Sequence, residues 1–391
     1  MTDICLYFQV HQPFRLRDYR IFDIGHAQTY FDTVHNAEII HRIAKRCYIP
    51  TNALLARLIT ESGGAFRVAM SLSGTVIDQL EPDALASFQA LVATGGVELL
   101  GETYYHSLAA LADPVEFCEQ VELHRSRAEQ LFGQRPRVFR NTELIISDDI
   151  ARLVQRFGFD AALVEGADHI LAGRAPTHVY ASAAAPGLKM LPRHYPLSDD
   201  IAFRFSTSGW SEWPLMADRY ASWLAATPGD CINLFMDYET FGEHQWAETG
   251  IFEFLAALPG ECLARGLRFA HPSELATRPP VDTLAFPRPT SWADVERDVS
   301  AWLGNRMQRA AHARAYALRD TVTATGEATM MEDWRRLTTS DHFYYMATKE
   351  HSDQTVHTYF SPYDSPYDAF IRYMNVMQDL EQVATGVASG G

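Results

Sequence analysis

Cysteine is scarce and scattered. Five residues (Cys5, Cys47, Cys118, Cys231 and Cys262) occur in 391, an odd number and never in CxxC spacing. That excludes a disulfide framework and a cysteine-built zinc site, and suits the reduced, mostly buried thiols of a cytoplasmic protein. Positive charge is short as well, with 33 Lys and Arg against 49 Asp and Glu and a formal net charge of −16. Nucleic acid and anionic membranes require clustered cations, so neither is expected as a partner. No apolar run approaches the ~20 residues of a membrane span. The N-terminus MTDICLYFQVHQP has neither a basic n-region nor a small-residue cleavage site, so no signal peptide is expected. GxGxxG and GxxxxGK[ST] are missing, which removes the phosphate cradles of nucleotide folds. Internal repeats and low-complexity tracts are missing too.

What remains is an ordinary globular balance, 47% hydrophobic and 21% charged, with aromatics at 12%. Tyr and Trp in such numbers suit neutral ring-shaped ligands such as sugars, and suit a large core equally well. Through residue 277 short apolar runs alternate with longer amphipathic stretches. Strands are expected at Ile4–Val10, Phe66–Leu72, Val97–Leu100, Arg137–Thr142, Ala161–Val164, Leu188–Leu191, Ile232–Met236 and Leu267–Ala270. Helices fall between them, including one from Tyr30 to Glu61 broken at Pro50 and one from Pro114 to Phe132. Such alternation implies a parallel sheet, closed as a barrel or doubly wound. A Pro-rich linker is expected at 278–290. A helical module then spans 291–385, with helices at Asp294–Arg319, Ala328–Lys349 and Pro366–Val383, and a flexible tail covers 386–391.

The most informative stretch is CINLFMDYETFGEHQW, Cys231 to Trp246. A continuous apolar run of this kind is a strand buried on both faces. It ends in Asp237 and Glu239, followed by Gly242 and His244, as strands do when they deliver side chains to a barrel mouth. Other strands end similarly: His11-Gln12-Pro13, then Ser71 and Ser73, then Glu98 continuing to Glu102 and His106, then Arg140-Asn141-Thr142-Glu143. Two carboxylates at two strand ends suggest acid/base or nucleophile chemistry at a glycosidic or acyl centre. A metal site built from His11, His106, Asp237 and Glu239 is the competitor, although no HxxxH, HExxH or DxD element supports it.

Five segments resemble the shared regions of glycoside hydrolase family 57: FQVHQPFRL near the start, GGVELLGETYYHSL at 95–108, VFRNTELIISD at 138–148, FMDYETFGEHQW at 235–246 and LTTSDHFYYM at 337–346. The compact α-amylase subgroup is the most similar. The resemblance implies an irregular (β/α)7 barrel with a C-terminal α-helical module contributing to the site. It also implies a retaining mechanism on α-1,4-glucosidic bonds of starch, glycogen or maltooligosaccharides, with no cofactor and no metal. Glu143 falls on the family's nucleophile and Asp237 on its general acid/base. His11, Glu98 and Asp341 fall on positions lining the subsite of the cleaved sugar. Arg140, Glu239, His244, Trp246 and Tyr344 are further candidates for substrate contact. Gln9, Arg140 and His244 stand where some members carry His, Trp and Trp, which leaves the acceptor open. 4-α-Glucanotransferase and branching activity share the first chemical step with hydrolysis and remain alternatives. A metal-dependent carbohydrate deacetylase would need an Asp-His-His triad that cannot be assembled from these residues. A non-catalytic glucan-binding relative would have lost a carboxylate, and both are present.

Overall fold

The computed structural model describes residues 2–26, 29–349 and 361–390. Its ten strands form two five-stranded sheets. In the first, β3 (Val97–Leu99), β2 (Val68–Leu72), β1 (Asp3–Val10) and β8 (Cys231–Asp237) run in parallel, and β9 (Arg268–Phe269) pairs with the start of β1. In the second the order is β10 (Thr283–Leu284), β6 (Tyr180–Ser182), β7 (Lys189–Arg193), β5 (Ala161–Glu165) and β4 (Val138–Arg140). The two sheets meet at two narrow seams. At one, Gly101 exchanges backbone hydrogen bonds with Val138 and Arg140 at 2.9 and 2.8 Å. At the other, His194 N–H donates to Asn233 O at 2.8 Å. The closed ring is therefore β1-β2-β3-β4-β5-β7-β8, the seven-stranded barrel that the resemblance implied.

Side-chain alternation builds three cores from this ring. Cys5, Tyr7, Ala69, Leu163, Leu191, Cys231 and Phe235 fill the barrel. Ile4, Leu6, Phe8, Ile232 and Met236 point outward to helices flanking the first sheet. Around the second sheet, Phe139, Ala162 and Met190 share one core with Trp302, Trp334 and Tyr373 of the C-terminal helices. A buried ion pair reinforces that union, because the Glu116 carboxylate accepts from Arg335 at 2.8 and 3.1 Å. Glu116 lies on helix Pro114–Phe132, which Asp113 caps through the N–H groups of Val115 and Glu116 and which Gly133 ends at φ 70°.

Several expectations need correction. The helical region of 33–61 is not broken at Pro50. It runs Thr33–Ile43, a π-turn Ala44–Tyr48, and Ile49–Glu61, with Pro50 in the first turn of the last piece. Proline lacks the N–H that would serve the Arg46 carbonyl, and the wider turn accommodates that loss. Strand β10 lies within 278–290, so the expected linker is part of the second sheet. Strand β6 and helix Tyr195–Ala202 had no expected counterpart. The C-terminal module is cut finer than expected, into Ser300–Leu303, Arg306–Ala317, Arg319–Thr325, Ala328–Leu337, Ser340–Tyr344 and Pro366–Gly390. The last helix continues through 386–390, where a flexible tail was expected, because extending a formed helix adds one backbone bond per residue fixed. No helix among the described residues is long and apolar enough to cross a membrane.

Candidate active site

The polar strand ends converge on one mouth of the barrel. Glu143 sits in a tight 3-10 turn after β4, with left-handed φ 55° and ψ 26°, followed by Leu144 at φ 52°. A side-chain-bearing residue costs about 1–2 kcal/mol in that region, so the surroundings must enforce the turn. They do so with bonds from Leu144 N–H to Asn141 O (2.9 Å), Ile145 N–H to Thr142 O (2.9 Å) and Trp292 N–H to Glu143 O (3.2 Å). The Glu143 side chain is 20% exposed, enough to meet a substrate. Its Oε1 lies 3.3 Å from His106 Nε2 and 3.3 Å from Ser340 Oγ, and its Oε2 accepts from the Trp292 indole at 2.7 Å.

Opposite charges are sorted around it. Burial opposes ionisation of Glu143, but the hydrogen bond and charge of His106, with Arg140 nearby, outweigh that and hold its carboxyl below the usual value. Burial likewise disfavours charge on His106, yet its bonds to Glu102 (2.9 Å) and Glu143 raise it to about 9. Asp237, the last residue of β8, behaves oppositely. Burial first, and then the charge of Glu143, push it up to about 6. At near-neutral pH the chain thus keeps one carboxylate ionised and a second one readily protonated, which is how acid and base roles are divided between like groups.

Asp341 reaches the same mouth from the helical module. The chain breaks at Thr339, whose hydroxyl donates to Tyr105 O at 2.9 Å while Ser340 N–H donates to His106 O at 2.9 Å. That break turns Asp341 onto His11 Nε2 at 2.9 Å, and the other His11 nitrogen lies 2.8 Å from Ser73 Oγ. Burial opposes charge on Asp341, and His11 then His106 overcome it and lower its pKa. The His11 and His106 rings stack at 3.9 Å.

The remaining candidates fare differently. Glu98 is not brought here. It points into the barrel and accepts from Ser273 N–H at 3.0 Å, and burial raises it to about 7. Glu102, four residues on, takes the place by the site: it is fully buried, bonded to His106, and accepts from Gln9 Nε2 at 3.0 Å. Arg140 cannot touch a sugar, being 0% exposed with its guanidinium 4.8 Å from the Trp292 ring centre. Glu239 turns away from the cleft to accept from Tyr48 OH at 2.5 Å, and burial with the neighbouring Asp237 raises it to about 8. His244 is held neutral by burial, which lowers it to about 4. Trp246 stands 59% exposed at the rim, and Tyr344 packs its ring 6.4 Å from that of Trp302. Of the four residues weighed as metal ligands, His11 is engaged by Asp341, His106 by Glu102 and Glu143, and Glu239 by Tyr48, and no group of three or more His, Cys, Asp or Glu side chains that could hold a metal ion occurs among the described residues. The sequence marks Glu102 and His106 only as polar residues after β3, with His106 also a candidate metal ligand. Trp292 lies outside every motif, so nothing in the sequence marked it.

The family model described as glycosyl hydrolase family 57 matches residues 5–286. The chain belongs to glycosyl hydrolase family 57. A Methanocaldococcus jannaschii protein named "Putative alpha-amylase" is 43% identical over 392 aligned residues, 96% of this chain and 83% of that one. Among solved structures, a family 57 branching enzyme of Pyrococcus horikoshii aligns with TM-score 0.68 at 13% identity, covering 95% of this chain and 88% of that one. The α-amylase AmyC of Thermotoga maritima gives 0.63 at 12%, covering 98% and 94%. The 4-alpha-glucanotransferase of Thermococcus litoralis gives 0.66 at 15%, covering 88% of this chain, which spans 56% of that enzyme's length. The three solved structures share the fold of this chain, and the site described above sits at the mouth of its barrel.

Proposed function

We propose that this chain is a retaining, α-glucan-active hydrolase of α-amylase type. The observation that carries the reading is the pair of carboxyls at one barrel mouth with opposed protonation preferences, Glu143 lowered and Asp237 raised to about 6. Glu143 attacks the anomeric carbon as Asp237 gives its proton to the leaving glycosidic oxygen. Asp237, now ionised, takes a proton from water, whose oxygen displaces Glu143 and returns both residues to their starting states. Asp341 and His11, at 22% and 12% side-chain exposure, are placed to bind hydroxyls of the reacting sugar. The name of the M. jannaschii relative supports hydrolysis. Transfer to a second sugar would share every step until the acceptor arrives.

The test is azide rescue on an aryl α-glucoside. Asp237→Ala should still form the glycosyl-enzyme, since a phenol needs little protonation, and azide should restore turnover with an α-glucosyl azide product. Glu143→Ala should lose glycosyl-enzyme formation and give, at most, a β-azide. Exchange of the two products would swap the roles. Wild-type activity in both variants would place the site elsewhere. Hydrolysis is separated from transfer by the products of a defined maltooligosaccharide: shorter chains with new reducing ends for the first, chains longer than the substrate for the second.

A further inference from the structure

The segment that follows the barrel, residues 290–298, lies beyond the 5–286 stretch matched by the family model. It is laid directly along the turn that carries Glu143. Thr290 and Ile146 exchange backbone bonds of 2.9 Å in both directions, and Trp292 N–H donates to Glu143 O at 3.2 Å. The loop closes on itself through Ser291 N–H to Arg297 O (3.1 Å) and Ser291 Oγ to Asp298 O (2.6 Å), with Arg297 also donating to Trp292 O. Two guanidinium groups stand against the Trp292 ring, that of Arg140 from β4 at 4.8 Å and that of Arg193 from β7 at 5.6 Å from its centre. Arg193 is fixed by Asp199 at 2.5 Å, Glu165 at 3.3 Å and Phe235 O at 2.8 Å. Arg297 reaches the same two carboxylates at 3.9 and 4.0 Å. Arg140 helps hold Glu143 ionised, whereas Arg193, Arg297, Glu165 and Asp199 have no step in the chemistry proposed above.

We propose that Trp292 is a positioning residue for Glu143, clamped by Arg140 and Arg193 and tied down through Arg297, so that its indole N–H fixes Oε2 of the nucleophile. The inference rests on the reading of Glu143 as nucleophile. Glu143 meets His106 from the loop after β3, Arg140 from β4, Asp237 from β8, and Asp341 and Ser340 from the helical module. Trp292 and the Ser340 hydroxyl are neutral donors in that set, and Trp292 makes the shortest of the bonds to the Glu143 carboxylate, 2.7 Å against 3.3 Å for Ser340. A bond to the ionised form lowers a carboxyl's pKa, so its removal raises it. A ring that merely filled space would leave that pKa alone.

Trp292→Phe keeps a ring against the two guanidiniums and deletes the N–H. The expected result is a fall in kcat of about tenfold with KM little changed, and an acid limb of kcat/KM displaced to higher pH. Arg297→Gln, which leaves Trp292 intact, should move the limb in the same direction by less, and it stands in if the first variant fails to fold. The Glu143 carboxyl is also titrated directly by carbon NMR, assigned by difference from Glu143→Gln. An upward shift of that resonance's midpoint in Trp292→Phe or Arg297→Gln supports the positioning role even if Glu143→Ala proves active, in which case the catalytic reading alone fails. An unmoved midpoint in the folded variants overturns the proposal, whatever happens to kcat.

Discussion

In the proposed mechanism Asp237 acts when protonated, and burial disfavours its charge; each has a measurable consequence. With Asp237 at about 6 as the acid and Glu143 held below the usual carboxylate value, kcat/KM should be bell-shaped. Its basic limb should lie near 6 and its acid limb below ordinary glutamate. Stability follows the same group. A carboxyl whose folded pKa is raised contributes fully below its unfolded value, near 4, and that contribution is lost as pH rises through 6. Asp237→Asn should therefore abolish activity yet gain on the order of 2 kcal/mol over wild type at pH 8, with the gain vanishing near pH 3. Urea denaturation at the two pH values reads this directly, and equal stability at pH 8 would deny the burial argument. At this scale the sequence was partly legible. Asp237 ends an apolar run and Glu143 closes the polar stretch after the short strand Val138–Arg140, and both placements can be seen without coordinates. Glu98 could not be told from Glu102, because both belong to one short strand-and-loop segment and only the register of β3 on β2 decides which faces the mouth.

The turn after β8 is shaped by a neighbour far away in the chain. Gly242 has φ 108°, and a Cβ there would stand 2.1 Å from the Arg46 carbonyl oxygen, on the π-turn that precedes Pro50. Tyr48 OH and Cys47 Sγ of that same turn bond to Glu239 and to Tyr238 O. Gly242→Ala adds left-handed strain to a backbone clash, so a loss of about 2–5 kcal/mol is expected. Chemical denaturation measures it, and activity should fall with it because Asp237 begins the same turn. A variant of wild-type stability would mean that the contact yields easily. The strands of the barrel could be read from their apolar runs, and the helix Pro114–Phe132 from its first-turn proline. The π-turn could not, since it arises from a missing proline N–H meeting a packing partner two hundred residues away. Strand β6 escaped for a related reason: three residues held by cross-strand pairing carry too little pattern of their own.

For the molecule as a whole, the C-terminal helices share a core with the second sheet and lend Ser340 and Asp341 to the site, while the loop before them lends Trp292. Calorimetry should therefore record one unfolding transition, and truncation after residue 290 should yield no soluble folded barrel. A second, separate transition would show instead that the helical module unfolds independently. The two seams carry a further consequence. Glu143 stands on the half-shell of β4, β5 and β7, and Asp237 on that of β1, β2, β3 and β8, so the two carboxyls of the proposed mechanism ride on separate sheets. The gap between them is set by how firmly Gly101 meets β4 and His194 meets β8. The amides of Gly101, Arg140 and His194 should accordingly exchange with solvent sooner than those buried within either sheet. The barrel behaves as calipers: whatever loosens its two joints, whether heat, pressure or a substitution far from the mouth, will be registered as a change in reach between the jaws.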